Sequence, residues 1–268
     1  MTILKSKSVM PRAKKSLGQN FLIDKNYQQK ILFAVSDVNK SGYIVEIGPG
    51  QGALSQHLIP IAKHYLAIEK DRDLAALLKT TLSKPHQVVE GDFLKIPLDF
   101  LGQSSQWIVV GNLPYNVASQ IFIRLLEHRK FFCDLFLMFQ KEMALRFVAK
   151  PGTKDYGLLT LWATIYTESK ILFHLPPTVF RPQPKITSSF VHFKIKPEPL
   201  IQSKEETNFW PFVRNLFQHR RKTLASVLKT QRDKLPSALV KARAEDLSVP
   251  DLISLFRLLH ELPPSSEI

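Results

Sequence analysis

Two rhythms of apolar residues alternate along the first half of the chain. Tyr27, Ile31, Leu32 and Val35 recur at helical spacing and predict a helix over Tyr27–Val38. After Gly42, the run Tyr43-Ile44-Val45-Glu46-Ile47 is apolar except at Glu46 and predicts a buried strand. The pattern then repeats. Helical spacing over Ala53–Ile61 (Leu54, Leu58, Ile61) precedes a strand at Tyr65–Ile68 that ends at Glu69. A helix over Asp73–Leu82 precedes strand-like Gln87–Glu90. Trp107–Val110 predicts a strand, Val117–Leu126 a helix and Leu135–Phe139 another strand. Strands alternating with helices at this spacing predict an α/β fold with a parallel, doubly wound sheet. β-Branched residues over Ile165–Phe173 and Ser189–Ile195 predict two late strands, an antiparallel pair at one edge.

Lys196-Pro197-Glu198-Pro199 interrupts this order, and beyond it only helical spacing remains. Phe209, Phe212, Val213, Leu216 and Phe217 form the stripe of a helix expected over Phe209–Leu228, with further helices over Leu235–Ala242 and Val249–Leu259. The expected organisation is a flexible basic arm (residues 1–16), an α/β domain (residues 17–199) and a small helical domain (residues 200–268).

Composition adds exclusions. A hydrophobic share of 44% with 22% charged residues is ordinary for a globular chain. No apolar stretch approaches the ~20 residues of a membrane-spanning helix. The single cysteine, Cys133, rules out a disulfide framework within the chain and reads as a small core residue in a reducing, cytoplasmic setting. The basic start is followed by no apolar core of a secretory signal; an organellar transit peptide is the alternative reading. Charge changes the picture more. The net charge is +14, and residues 1–30 hold seven Lys/Arg against one Asp. Such an arm attracts a phosphate backbone, a solubilising tail being the alternative.

The candidate chemistry sits at predicted strand ends. Gly48-Pro49-Gly50-Gln51-Gly52 follows a strand and opens a helix, a turn that lets backbone approach a ligand closely. Its spacing is GxGxG; NAD would call for a glycine at Ala53 instead. Glu69 ends the next strand and can accept both hydrogens of a ribose diol, while Asp92 ends a third and can read an adenine amino group. Asn112-Leu113-Pro114-Tyr115 ends the strand begun at Trp107. The Asn112 side-chain oxygen and the Leu113 carbonyl can accept both hydrogens of a planar amine, which favours a pyramidal nitrogen with its lone pair free. Pro114 stiffens the turn and Tyr115 offers a stacking face. These features point to transfer of a methyl group from S-adenosylmethionine to an exocyclic base nitrogen, driven by positioning, with no metal and no covalent enzyme intermediate. Phe180, in the proline-stiffened Leu175–Lys185 loop, is expected to clamp the far face of an extruded base, a packing anchor being the alternative.

Together these motifs resemble the small-subunit ribosomal RNA adenine dimethyltransferases, over nearly the whole chain. Ser16-Leu17-Gly18-Gln19-Asn20-Phe21-Leu22 is similar to the family's opening motif, and Gln140–Ala144, Pro151–Gly157 and Phe217–Leu224 also match. Gln120 and Ala225 depart from it, where proline and arginine are common. The resemblance implies a Rossmann-like class I S-adenosylmethionine-dependent methyltransferase sheet. Asn20, Leu22, Gly48, Gly50, Glu69, Asp92 and Asn112 would bind the cofactor; Asn112, Leu113, Tyr115 and Phe180 would surround the target base. Lys185, Arg220, Arg221 and Lys222 are expected at RNA; the last three are read as helical, where consecutive residues spread ~100° apart, so Arg221 and Lys222 are expected to bridge to RNA with the others solvated, a charged helix face being the alternative. The implied activity is N6,N6-dimethylation of two adjacent adenosines in a 3′-terminal hairpin loop of 16S rRNA. The expected partner is 16S rRNA in a small-subunit precursor, with no membrane partner and a monomeric protein. The alternatives are an assembly factor acting mainly by binding the immature subunit, and a large-subunit rRNA methylase conferring macrolide resistance.

Overall fold

The computed structural model describes residues 11, 13–81, 88–102 and 107–262. Most of the expected flexible arm, together with Leu82 and Gln87 of two predicted elements, lies outside the described residues. The chain divides into two compact units. The first holds Met1–Lys141 with Ile171–His192, the second Glu142–Lys170 with Phe193–Ile268. The Pro197–Pro199 segment read as the boundary thus lies within the second unit, which also draws in residues 142–170.

A 3-10 turn at Lys15–Leu17 leads into β1 (Phe21–Leu22) and α1 (Lys25–Val38). The Asp24 side chain accepts a hydrogen bond from Tyr27 N at 3.0 Å and caps α1, as short acids do at helix starts. Then come β2 (Tyr43–Ile47), α2 (Ser55–Ile61), β3 (His64–Glu69), α3 (Arg72–Thr81), β4 (Val88–Glu90), β5 (Trp107–Asn112), α4 (Ala118–Glu127) and β6 (Phe132–Gln140). Next are α5 (Lys141–Phe147), α6 (Leu158–Tyr166), β7 (Thr167–Leu175), β8 (Phe180–Arg181) and β9 (Ser188–Ile195). The chain closes with α7 (Ser203–Gln218), α8 (Leu224–Val227) and α9 (Val249–Leu259).

Seven strands form one sheet in the order β4-β3-β2-β5-β6-β9-β7. β2 runs parallel to both β3 and β5, β3 to β4, and β5 to β6. The apolar runs of β2 and β5 are buried on both faces, which is why they read as continuous rather than alternating. β9 and β7 occupy one edge, where the sequence places its late pair. Strand order reverses between β2 and β5. That topological switch opens a crevice at the carboxyl ends of the strands.

Three expectations are corrected. The strand expected from Ile165 starts at Thr167, because Leu161, Trp162, Ile165 and Tyr166 form the buried face of α6, closed at its start by Gly157 N donating to Thr160 Oγ1. The helix expected over Phe209–Leu228 starts earlier, where Gln202 N donates to Glu205 Oε2, and ends at Gln218. His219–Lys222 is therefore a turn, not a helix face. Leu235–Ala242 is not an α-helix; Pro236 precedes a 3-10 turn at Ser237–Leu239. The second unit packs around Trp162 and Trp210, stacked at 3.8 Å, and a buried Arg257–Glu205 pair with two hydrogen bonds of 2.8 and 2.9 Å.

Candidate active site

One cavity in the first unit lies along the ends of β2, β3, β4 and β5. Asn20, Leu22, Gly48, Gly50, Glu69, Asp92, Asn112, Leu113 and Tyr115 all line it. The structure thus brings together nine of the candidate residues, drawn from five places in the chain.

The glycine turn leaves β2 with Gly48 and Gly50 at φ +65° and +60°, conformations that favour glycine. A β-carbon at Gly48 would stand 4.0 Å from Asn112 O, in the space between the two turns. That space is the cradle a ligand needs. Glu69, only 5% exposed, is held at both oxygens: Oε2 accepts from Gly50 N at 3.0 Å and Oε1 from Asp71 N at 2.8 Å. Burial pushes its carboxyl above the usual range, and the backbone donors oppose that rise. Asp92 accepts from Leu94 N at 3.0 Å and pairs with Lys70 Nζ at 2.9 Å. Burial raises its pKa, but Lys70 and Leu94 outweigh it and the carboxyl lies below its ordinary value.

Asn112 ends β5. Its Nδ2 donates to the Asn20 carbonyl at 2.8 Å. A carbonyl can face only the amide's donor end, so this bond fixes the flip of the side chain and leaves Oδ1 as the acceptor end. Tyr115 OH shares a 2.6 Å hydrogen bond with Ser188 Oγ, which sets the ring's orientation. Leu113 is buried at the cavity wall.

Sequence reasoning missed the ties behind these residues. Lys14 Nζ reaches Asp71 at 2.6 Å and Asp73 at 2.7 Å, and Gln19 Nε2 donates to Asp71 at 2.9 Å. The end of the expected flexible arm is therefore fastened beside the cavity, where Ser16–Leu22 forms part of the lining. Glu46, inside β2, accepts from Tyr65 OH at 2.6 Å and Ser55 Oγ at 2.8 Å, and burial pushes its pKa up to about 7. An acid interrupting an apolar strand was the available signal. Cys133 is half-buried, its thiol pushed by burial up to about 12, in keeping with an inert role.

Two candidates are placed differently from expectation. Phe180 is 2% exposed, packs in the core, and does not line the cavity. It pairs with Leu22 across β1 and β8, so it is a packing anchor behind a lining residue rather than an exposed clamp. Arg220 is spent within its own unit: it pairs with Glu245, and Nη1 and Nη2 donate to the Lys154 and Thr153 carbonyls at 2.8 Å each. Arg221, Lys222 and Lys185 are exposed, the first two in the second unit and Lys185 in the first.

A parallel sheet with this switch point, a glycine turn after β2, and acids ending β3 and following β4 define a class I methyltransferase fold. Two solved structures share it. A dimethyladenosine transferase from Plasmodium falciparum superposes with a TM-score of 0.75 at 24% identity, covering 90% of this chain and 96% of its own. The 23S rRNA methyltransferase ErmE gives 0.70 at 24% identity, over 90% and 99%. Residues 10–261 match the family described as Ribosomal RNA adenine dimethylase. Among curated relatives, Ribosomal RNA small subunit methyltransferase A of Chlorobaculum tepidum is 40% identical over 97% of this chain and 94% of that protein. The protein of that name from Chlorobium limicola is 38% identical over 96% and 97%. The chain belongs to the ribosomal RNA adenine dimethylase family.

Proposed function

We propose that this enzyme dimethylates the N6 of two adjacent adenosines in a 3′-terminal hairpin loop of 16S rRNA, in a precursor of the small subunit, using S-adenosylmethionine. The orientation of Asn112 carries the reading: its donor end is tied to Asn20, so its acceptor end is available to an amine. Bound S-adenosylmethionine supplies an electrophilic methyl on a sulfonium centre. Glu69 accepts from the ribose hydroxyls, Asp92 faces the adenine amino group, and Asn20, Leu22, Gly48 and Gly50 enclose the remainder. Asn112 Oδ1 and the Leu113 carbonyl take the two N–H bonds of the target amine, holding its lone pair toward the methyl carbon. The Tyr115 face stacks on the target base. Both hydrogens being held by neutral acceptors, the proton passes to water only after the N–C bond has formed and S-adenosylhomocysteine is left, when the nitrogen has become cationic and acidic.

The names of the curated relatives support the small subunit as substrate. The likeness to the 23S enzyme is 24% identical and speaks for the fold alone. Lys185, Arg221 and Lys222 are the proposed phosphate contacts; Arg220 is not. No described helix is long and apolar enough to cross a membrane, and we place the enzyme in the cytoplasm, as a monomer. The test uses methyl-labelled S-adenosylmethionine with small subunits lacking adenine dimethylation, and with large-subunit rRNA in parallel. Label recovered as dimethyladenosine in the small subunit alone is the expected result; label in large-subunit rRNA overturns the substrate assignment. Absence of label in both, with cofactor still bound, returns the weight to a binding factor.

A further inference from the structure

The segment from Gly91 to Leu98, which carries Asp92, is a tightly folded loop. The Asp92 backbone carbonyl accepts from Lys95 N at 2.8 Å and from Ile96 N at 3.0 Å, so the loop turns back on the main chain that carries the acid. A β-carbon at Gly91 would stand 2.7 Å from Ile96 Cγ2, so Ile96 lies directly over the glycine. At the other end of this turn, Arg124 Nη2 donates to the Ile96 carbonyl at 2.6 Å. Arg124 sits on α4, one turn beyond Ile121 and two beyond Val117, and both of those line the cavity, as Leu94 does. Its Nε is buried with no hydrogen-bond partner among the described residues. A solvated arginine would not leave an N–H dry; this one is drawn into the protein to reach one carbonyl among the described residues.

We propose that Arg124 is a positioning residue that fastens the Asp92 loop to α4 and so holds the purine wall of the cofactor site closed. The inference rests on the reading of this cavity as the S-adenosylmethionine site. Two hydrogen bonds separate the guanidinium from the Asp92 backbone: Arg124 to Ile96 O, then Ile96 N to the Asp92 carbonyl. A shift of Ile96 is therefore passed to Asp92 and to Phe93 and Leu94, which form the wall. Because α4 begins just after the Asn112–Tyr115 turn, the same guanidinium ties the wall of the cofactor site to the element that follows the amine-binding turn.

Arg124→Met keeps the apolar stem and removes the fork; Arg124→Lys keeps a single, less well-aimed donor. Titration calorimetry with S-adenosylhomocysteine reads the affinity well below the melting temperature. Loss of a charge-assisted hydrogen bond predicts binding about ten-fold weaker for Arg124→Met and about three-fold weaker for Arg124→Lys. The KM for S-adenosylmethionine rises in the same order with kcat at saturation unchanged, and the amides of Leu94–Ile96 exchange faster with solvent. Unchanged affinity in folded Arg124→Met overturns the proposal. If that variant does not fold, affinity equal to the unaltered protein in Arg124→Lys overturns it. Failure of the unaltered protein to bind S-adenosylhomocysteine overturns instead the cofactor reading beneath it.

Discussion

At the scale of the residue, the site holds its polar groups in fixed orientations: Glu69 and Asp92 are bonded at both oxygens, while Asn112 is tied at one end and left free at the other. Asn112 shows this most directly, its amide donor held by Asn20 and its acceptor end left over. Asn112→Ala is expected to lower methyl transfer by about 10²–10³-fold, the cost of removing one preorganised polar group at a reacting centre. S-adenosylhomocysteine affinity, measured by calorimetry, should fall far less; equal losses in both would mean that Asn112 serves only to hold Asn20. Glu46 is the counter-case, a buried acid only 2% exposed. Its pKa is displaced from 4.5 to about 7, chiefly by burial, with Tyr65 and Ser55 opposing the rise and Glu69 adding to it. As pH rises from about 4.5, the unfolded chain releases this proton first while the native state retains it, so stability falls until about pH 7 and then levels. The displacement is worth on the order of 3 kcal/mol. Glu46→Gln removes the titrating group, so the decline in melting temperature between pH 5 and pH 7.5 should shrink. An undiminished decline would place the proton elsewhere.

At the scale of the element, the segment entering β1 acts as a strap beside the cavity. Asp71 is buried, which opposes ionisation, yet its bonds to Lys14 and Gln19 and the Asp73 N–H hold its carboxyl below the usual range. The stability this contributes is present above the ordinary aspartate value and is lost as pH falls through the lowered one. Asp71→Asn keeps the shape and removes the charge, so trypsin should cut after Lys14 and Lys15 sooner, with bound S-adenosylhomocysteine slowing the cut. Identical digestion in both proteins would show that the Ser16–Leu22 lining holds without the ion pair. None of this was legible in sequence, because Lys14 and Asp71 stand 57 residues apart and only folding pairs them. What was legible was local. Continuous apolar runs revealed β2 and β5 because parallel strands are buried on both faces, and acids at successive strand ends revealed the ligand side of the sheet. Segments that take their partners from far away were misread. Phe180 looked like an exposed clamp until its pairing with Leu22 turned it into the core, and His219–Lys222 looked helical because charge carries no period of its own.

At the scale of the whole molecule, a net charge of +14 attracts RNA but does not say which cations touch it. Geometry separates them. Arg220 is committed to Glu245 and to two carbonyls of the Lys150–Asp155 loop, whose Gly152 N–H also donates to Glu245 O at 2.7 Å. Arg221 and Lys222 are exposed beside it. A phosphate contact releases counterions, so each one removed flattens the salt dependence of binding by roughly one unit of log K per log salt. Arg221→Ala and Lys222→Ala should each flatten the slope by about that much, with melting temperature unchanged. Arg220→Ala should leave the slope as it is and cost about 1–3 kcal/mol of stability, because its charged hydrogen bonds are internal. Lys185 lies in the other compact unit. If one RNA engages both, the slope changes of Lys185→Ala and Arg221→Ala add in the double variant; a double variant no flatter than either single one would confine the RNA to one unit. An Arg220→Ala protein as stable as the unaltered one, with a flattened slope, would return that arginine to the RNA and take away its role as the clamp of the Lys150–Asp155 loop.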